Sequence, residues 1–269
     1  VGAVESEANS RATLLPVEPW RPSVIAKKEQ VAAWVAGQLR TGSVNAPGLV
    51  VGARKLRHGS RPLSVLGIAE RVAYRALTDW IVSSLNLPGR TVDTHREFIA
   101  GPIDDERTMH PPGPVTVESI RNKYVVESDI SAFYEYVDHE KLRVELEMWS
   151  GKFEEVDGLM QFLVEIQGKA FGIPQPAIAS DGLSEVYAQC IERDLIRQGL
   201  KVWRFNDDFR MACETYEDAL DAIDRLVEAA RRMGLSINEY KTLTLGFTKY
   251  LTRHSSHDWT NEVSEFDLS

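Results

Sequence analysis

The chain has 269 residues, 43% of them hydrophobic and 26% charged, which is the composition of a globular protein with ample material for a core. No apolar run approaches the roughly 20 residues that a membrane-spanning helix needs, so we exclude a membrane partner. Cys190 and Cys213 lie in apolar segments, and we interpret them as reduced core residues of a cytoplasmic protein. The formal net charge of −9 argues against nucleic acid as a partner, but residues 51–75 carry six Lys and Arg against one acid. Such a local basic patch suits phosphate binding, and a solvated protein face explains it equally well.

The first part of the chain predicts an arm followed by helices and a strand. Residues 1–20 are polar and lack periodicity, so we interpret them as an extended arm. Apolar residues at helical spacing predict helices over 23–40 and 68–85, and residues 62–66 between them are typical of a strand.

A segment rich in proline and glycine then interrupts the pattern. Residues 100–115 hold four prolines and two glycines, which predict a loop or a boundary. No apolar strand flanks the acidic triplet Asp104-Asp105-Glu106, so we interpret it as loop charge.

The remainder of the chain alternates strands and helices. Residues 123–129 predict a buried strand, and Asp138 is a suitable N-cap for a helix over 139–149. The elements expected next are a helix over 153–166, a rigid loop over 172–176, a helix capped by Ser180 or Asp181 that ends at Gln198, a β-hairpin around 206–208, a helix started by Thr215 with Asp218 and ended by Gly234, and short strands over 235–237 and 242–247. The order β, α, α, α, β, β, α, β over 121–250 fits an α+β fold, with an antiparallel sheet and helices on one face.

Two adjacent acids in the hairpin are the most informative feature. Asp207 and Asp208 follow the apolar strand Val202–Phe205, and Asn206 suits the turn between the two strands. Adjacent carboxylates repel each other, so a fold that holds them together commonly neutralises them with a cation. Mg²⁺ is the natural candidate because it takes hard oxygen ligands.

A third acid is predicted to join this pair. Asp129 ends the strand over 123–129, and if this strand neighbours the hairpin, Asp129 and Asp207 meet at one edge of the sheet. Two carboxylates there could bridge a pair of divalent ions about 3.5–4 Å apart, the geometry of in-line phosphoryl transfer.

Five short motifs, in this order along the chain, resemble those of reverse transcriptases. They are Lys55, Gly59 and Arg61-Pro62-Leu63 (a fingers motif, one residue shorter than usual), Asp129-Ile130-Ser131-Ala132-Phe133-Tyr134, Gly172-Ile173-Pro174-Gln175 with Ser180, Phe205-Asn206-Asp207-Asp208, and Gly234-Leu235 to Asn238 with Lys241-Thr242. The resemblance covers about residues 50–250 and is closest to bacterial enzymes of the defence-associated or abortive-infection type.

The resemblance implies an RNA-directed DNA polymerase of the palm and fingers type. We expect an N-terminal arm and fingers over 1–120, a palm over 121–250 to which 140–175 adds fingers structure, and a mobile tail or thumb stub over 251–269. The chain ends soon after the last motif, so we expect a short or absent thumb.

The same resemblance assigns the site residues. Asp129, Asp207 and Asp208 are expected to be catalytic and to bind Mg²⁺ or Mn²⁺, with help from the backbone carbonyl of Ile130. The expected nucleotide-binding residues are Lys55 and Arg61 as triphosphate clamps, Tyr134 beside the sugar, Gln175 in the template loop and Lys241 near the pyrophosphate. Tyr134 could instead be a core residue, Lys241 could merely pair with an acid, and Arg57 and Arg71 are equally well explained as surface charge.

The implied partners are an RNA template, a DNA or RNA primer and deoxynucleotides. A non-coding RNA or a partner protein could supply the thumb, an oligomer is possible, and resistance to phage is the expected biological role. Three departures from the family pattern bear on these expectations: Pro176 replaces a glycine, Phe205 replaces a tyrosine, and Asn206 replaces a small or apolar residue. A stiff loop at Pro176 would also fit a template-independent or protein-primed polymerase, and a catalytically silent scaffold that binds nucleic acid or protein is the further alternative.

Overall fold

The computed structural model describes residues 1–9, 18–42, 48–54, 59–109 and 117–254. The chain divides into two compact units, the first made of Val1–Leu87 and Tyr134–Tyr187 and the second of Pro88–Phe133 and Ala188–Ser269. Among the residues that the structure describes, no helix combines the length and the apolar character that a bilayer crossing requires.

Helices and strands alternate along the described residues. The helices are α1 (Gly2–Asn9), α2 (Arg21–Ala26), α3 (Lys28–Thr41), α4 (Ile68–Val82), α5 (Val92–Met109), α6 (Val117–Ile120), α7 (His139–Ser150), α8 (Phe153–Gln167), α9 (Ile178–Arg197), α10 (Tyr216–Arg232) and α11 (Phe247–His254). The strands are β1 (Leu49–Arg54), β2 (Ser60–Val65), β3 (Tyr124–Asp129), β4 (Lys201–Phe205), β5 (Asp208–Cys213) and β6 (Leu243–Gly246). Single 3₁₀ turns lie at Phe133–Glu135 and Glu239–Lys241.

The first unit is built around α4. This helix buries Val72, Ala73 and Tyr74 and packs against α1, α3, α7 and α8. The Tyr74 ring stacks on Phe162 of α8, with ring centroids 6.1 Å apart. In the same unit β1 and β2 form an antiparallel hairpin. Its second strand confirms the strand predicted near 62–66.

The second unit contains a four-stranded antiparallel sheet in the order β4-β5-β3-β6. The predicted neighbours, the strand that ends at Asp129 and the Asp207-Asp208 hairpin, therefore pair directly. Over 121–250 the predicted order of strands and helices is confirmed, and so is the α+β fold class with an antiparallel centre.

Helices lie on the sheet of the second unit. Tyr124 of β3 contacts Tyr216 of α10, with ring centroids 5.5 Å apart. Neighbouring side chains of a strand point to opposite faces, and Val125 packs in a cluster with Ile103 of α5 and Tyr250 of α11. The sequence predicted helices on one face, and the structure adds α5 and α11 beside part of the other.

Two segments that were expected to lack structure are helical. Residues 2–9 form α1 rather than an extended arm, and Val4 and Ala8 of this helix are buried. The predicted loop over 100–115 is wrong for residues 100–109, which form the second half of α5. Burial of Ile103 and Phe98 supplies the tertiary packing that overrides the weak helix propensity of Gly101 and Pro102.

The acidic triplet of α5 is likewise not loop charge. Glu106 is 4% exposed, and its carboxylate pairs with Lys123 at 2.8 Å. Asp105 pairs with Lys201 of β4, also at 2.8 Å. These acids therefore fasten α5 to the sheet region of the second unit.

Smaller corrections concern element ends. Helix α9 begins at Ile178, so Ser180 and Asp181 lie inside its first turn rather than cap it. Residues 235–237 form no strand, and Ile237 makes only a single bridge with Ile130. Leu251–His254 of the expected tail belong to α11, and residues 255–269 lie outside the described part of the chain.

Gly101 is the position in α5 that accommodates Trp203 of β4. A Cβ atom at residue 101 would lie 2.3 Å from the Trp203 ring. We expect Gly101→Ala to destabilise the protein by about 1–3 kcal/mol, because neither the helix nor the indole can move without disturbing its neighbours. Urea denaturation measures this change.

Gly158→Ala is the matched control. Gly158 also lies inside a helix, α8, but a Cβ there would have no neighbour within 4 Å. Alanine should stabilise the protein at this position by roughly 0.5–1 kcal/mol. Equal effects at positions 101 and 158 would contradict the close approach of α5 to Trp203.

Candidate active site

Three acids lie at one end of the sheet in the second unit. Asp129, the last residue of β3, is the register partner of Asp208, the first residue of β5. Side chains directly opposite each other in an antiparallel pair share a face and have Cβ atoms about 4.5–5.5 Å apart. The pairing continues one residue further, where the Ile130 N–H donates to the Asp207 carbonyl at 3.0 Å. The register thus brings Asp129, Asp207 and Asp208 together, as the sequence predicted.

The turn that presents Asp207 is a two-residue loop. Phe205 and Asp208 are register partners, so Asn206 and Asp207 alone connect β4 to β5. Asn206 has a φ of 58°, a left-handed conformation that asparagine tolerates better than most residues. Its side-chain amide donates to Oδ1 of Asp207 at 2.6 Å.

Two neighbours support this turn from β4. The buried guanidinium of Arg204 donates to the Asn206 carbonyl at 3.0 Å and to Glu192 of α9 at 2.9 Å. The ring of Phe205, where the family pattern has tyrosine, contacts His95 and Phe98 of α5, with centroids 4.9 and 6.0 Å away. Replacement of tyrosine by phenylalanine therefore places an apolar ring in an aromatic cluster.

The acids hold an excess of negative charge in a partly buried place. Burial raises the pKa of Asp207 to about 6, and the charges of Asp129 and Asp208 add to this shift. Burial and the charge of Asp129 also raise the pKa of Asp208. A site that raises the pKa values of its carboxyl groups in this way favours the binding of a cation that neutralises them.

Asp129 already has two donors on its carboxylate. Lys241 Nζ lies 2.9 Å from Oδ1, and the Asn238 side-chain amide donates to Oδ2 at 3.1 Å. The hydrogen bond to Asp129 raises the pKa of Lys241. Lys241 therefore does pair with an acid, which was one of the two interpretations of this residue. Its expected role near the pyrophosphate stays a prediction.

The residue types at this end of the sheet fit Mg²⁺ or Mn²⁺. They supply three carboxylates and the backbone carbonyl of Ile130. Hard oxygen donors of this kind are the ligands that these cations take. Within the described ranges, no group of three or more His, Cys, Asp and Glu side chains is already arranged to hold a metal ion.

The other predicted nucleotide-binding residues belong to the first unit or are outside the described residues. Lys55 and Arg57 lie outside them. Arg61 is on β2, opposite Ala53 of β1. The Gln175 carbonyl accepts the Ser64 N–H at 2.6 Å, and the Gln175–Pro176 peptide bond is cis.

Tyr134 is nearly buried within the first unit, at 9% exposure. Its hydroxyl donates to the Asp181 carboxylate at 2.8 Å and accepts from the Ser184 hydroxyl at 3.3 Å. These bonds fix the ring on α9, as expected for a core residue. They do not test the expected contact of Tyr134 with a sugar. Phe133, expected to be the core residue of the pair, is buried.

Arg71 makes contacts within the protein that neither phosphate binding nor surface charge describes. Its guanidinium pairs with Glu7 of α1 at 3.0 Å and with Glu18 at 2.8 Å, and it lies over the Trp20 ring. Arg71 therefore binds the N-terminal residues to α4.

A buried ionic cluster lies on the same strand as Asp129. Glu127, 5% exposed, is bonded by Arg253 and His254 of α11 at 2.9 and 2.8 Å and lies 3.4 Å from Arg210 of β5. Burial raises the pKa of Glu127, but the His254 hydrogen bond and the arginine charges outweigh it and hold the pKa below its usual value. Glu127 was not predicted from the sequence, although a charged residue inside a buried strand was the available signal. Asn238, a residue of the last motif, was likewise given no predicted role.

Comparison with known proteins bears on the fold and on the family. A solved structure of apo telomerase from Candida tropicalis, truncated from its C-terminal domain, superimposes with a TM-score of 0.54 at 11% sequence identity. The match covers 75% of this chain and 50% of the telomerase chain, so this chain spans about half the length of that structure. The likeness is one of fold, which the matched part of this chain shares with the telomerase structure.

The family follows from the sequence match. Residues 54–255 match the family model described as reverse transcriptase (RNA-dependent DNA polymerase), and the chain belongs to this family. No curated protein matches the sequence.

Proposed function

We propose that this chain is an RNA-directed DNA polymerase that extends a primer by two-metal nucleotidyl transfer with Mg²⁺ or Mn²⁺. The observation that carries the proposal is the register of the second unit, which pairs Asp129 with Asp208 and links Ile130 to Asp207. Family membership supplies the reaction class. The raised pKa values of Asp207 and Asp208 support a site that binds cations.

In this proposal Asp129, Asp207 and the Ile130 carbonyl hold the cations, and Asp208 is the third acid. When bound, the two ions would activate the 3′-hydroxyl of the primer and stabilise the leaving pyrophosphate. The protein contributes positioning: Arg204 and Asn206 fix the turn that carries Asp207. Burial of the acids strengthens every charge interaction at the site, because less water screens them.

The proposal also assigns residues to nucleotide contacts. Lys55 and Arg61 act as triphosphate clamps, and an arginine suits bidentate phosphate contact. Gln175 contacts the template, and Tyr134 discriminates against ribose. Lys241 contacts the pyrophosphate once its ammonium group has left Asp129.

The proposed partners are an RNA template, a DNA or RNA primer and deoxynucleotides. A non-coding RNA or a partner protein that supplies a thumb, and self-association, belong to the finer part of the proposal. So does a role in bacterial defence against phage, which rests on the motif pattern alone. Protection of a bacterial host by the wild-type chain, but not by Asp207→Asn, would support that role.

The direct test is incorporation of labelled deoxynucleotide on a primed RNA in the presence of Mg²⁺. We expect a product complementary to the template, and no product when Mg²⁺ is removed by chelation. Product of unrelated sequence in the absence of template would favour untemplated addition instead.

Binding to the primed RNA provides a second readout of the same proposal. Its affinity should fall steeply as salt rises, because phosphate contacts release counterions. Salt-dependent binding with no incorporation would favour a catalytically silent scaffold for nucleic acid, and salt-independent binding would favour a role with a protein partner.

A further inference from the structure

The turn Asn238–Thr242 encloses Asp129. The Asn238 main-chain N–H donates to the Asp129 carbonyl at 2.7 Å, and its side-chain amide donates to Oδ2 at 3.1 Å. Lys241 Nζ lies 2.9 Å from Oδ1. This turn therefore supplies a donor to each of the three oxygens of Asp129.

The two side chains on the carboxylate differ in how firmly they are held. The Asn238 carbonyl accepts the Lys241 N–H at 3.0 Å and the Thr242 hydroxyl at 2.9 Å, and the Thr242 hydroxyl is also bonded to Ser128 of β3 at 2.8 Å. Asn238 is thus anchored to β3 at Ser128 and at Asp129. The Lys241 side chain is 63% exposed, and its ammonium group has only Asp129 as an ion-pair partner within the described residues.

The chemistry of the two donors also differs. The amide nitrogen of Asn238 must face Oδ2, because a flipped amide would set two oxygen atoms against each other. An amide is neutral and can keep its bond to Oδ2 while a cation takes Oδ1. An ammonium group on Oδ1 occupies the atom that a cation needs and repels that cation.

We propose, given the proposed function, that Asn238 is a positioning residue for the Asp129 carboxylate. It holds Oδ2 so that Oδ1 faces the cation site, and Lys241 occupies Oδ1 only until a divalent cation takes its place. The two side chains of one turn then act in opposite directions: Asn238 strengthens cation binding and Lys241 weakens it.

Mn²⁺ binding to the full chain, without nucleotide or nucleic acid, tests this inference. Electron paramagnetic resonance counts free Mn²⁺ during a titration, so the readout does not require polymerase activity. Asn238→Ala should weaken Mn²⁺ binding about tenfold or more, as loss of a partner that orients a metal ligand does. Lys241→Met should tighten binding by up to about fivefold, the effect of removing a screened, exposed ion pair.

Two further variants guard against a simple folding effect. Asn238→Ser keeps a polar side chain in the turn but is too short to reach Oδ2, so it should behave as Asn238→Ala does. Tyr240→Ala changes a side chain of the same turn that is 97% exposed, and it should leave Mn²⁺ binding unchanged. Thermal melting in chelator establishes that each variant is folded.

The outcomes separate this inference from the proposed function. Wild-type binding that is lost in Asp207→Asn but retained in Asn238→Ala and Asn238→Ser would overturn the inference alone. A shift of Asn238→Ala and Lys241→Met in the same direction would also overturn it. Wild-type Mn²⁺ binding no tighter than that of Asp207→Asn would overturn both.

Discussion

Asp207→Asn should lower deoxynucleotide incorporation by at least about 10²–10³-fold, the cost of removing one group that stabilises a transition state. Asparagine keeps the shape of the side chain and an oxygen for the Asn206 amide, but it cannot neutralise a cation. Steady-state incorporation on a primed RNA measures the effect. Incorporation equal to that of the wild type would refute the assignment of the acids.

The same variant should be more stable than the wild type when metal is removed at neutral pH. The folded protein holds the Asp207 pKa at about 6, above the ordinary value of 3.8. Between these two values the unfolded chain loses its proton first, so wild-type stability falls as pH rises. The penalty is fully present above pH 6 and is of the order of 2–3 kcal/mol.

Urea denaturation in chelator at two pH values checks this sign. Asp207→Asn should match the wild type near pH 4 and exceed it near pH 7.5, and Mg²⁺ should stabilise the wild type alone. Asp224→Asn, at an exposed position of α10, is the control and should change stability by no more than about 0.5 kcal/mol. A variant less stable than the wild type at neutral pH would contradict the crowding of the three acids.

Glu127→Gln should destabilise the protein by about 3 kcal/mol, since removing one partner of a buried ionic cluster leaves the other charges uncompensated. The Arg210 side chain is 13% exposed, and it would lose the Glu127 carboxylate 3.4 Å away while keeping the Phe209 carbonyl at 3.2 Å and the Phe98 ring at 4.9 Å. Arg253 and His254 bond to different oxygens of Glu127, and glutamine keeps only one acceptor oxygen, so at least one of these bonds from α11 to β3 would be lost. Urea denaturation near pH 7 measures the loss.

The pH dependence of Glu127 has the opposite sign to that of Asp207. Its pKa is lower in the folded protein, so its contribution is present at neutral pH and is lost as pH falls below its ordinary value of 4.5. Glu118→Gln is the control, because Glu118 and Arg121 form an exposed pair that should contribute less than about 1 kcal/mol. Equal losses in the two variants would show that the cluster has no special role.

Signals that act within a few residues were sufficient for much of the fold. Asp138 caps α7, and Thr215 and Asp218 form both bonds of a capping box at the start of α10. Such caps satisfy backbone groups close by in the chain, so their residue pattern is visible in the sequence. Asn206 in the hairpin turn was predictable for the same reason.

Sequence patterns were misleading, or gave no indication, where residues far apart in the chain pack together. Gly101 and Pro102 predicted a break, yet α5 continues because Gly101 lets the helix approach Trp203. In the turn before Pro102, the Ile99 carbonyl accepts a hydrogen bond from the Tyr250 hydroxyl at 2.7 Å. Both partners lie far from α5 in sequence, so no local pattern could reveal them.

The sequence by itself determined the family motifs, the alternation of strands and helices after residue 121, and the expectation that Asp129 joins Asp207 and Asp208. These depend on residue types at short spacing, which a linear chain displays directly. Only the tertiary structure decided the register that sets Asp129 opposite Asp208 and the bonds of Asn238 and Lys241 to Asp129. Side-chain contacts across more than a hundred residues depend on how strands pair and turns close, and that information exists only once the chain has folded.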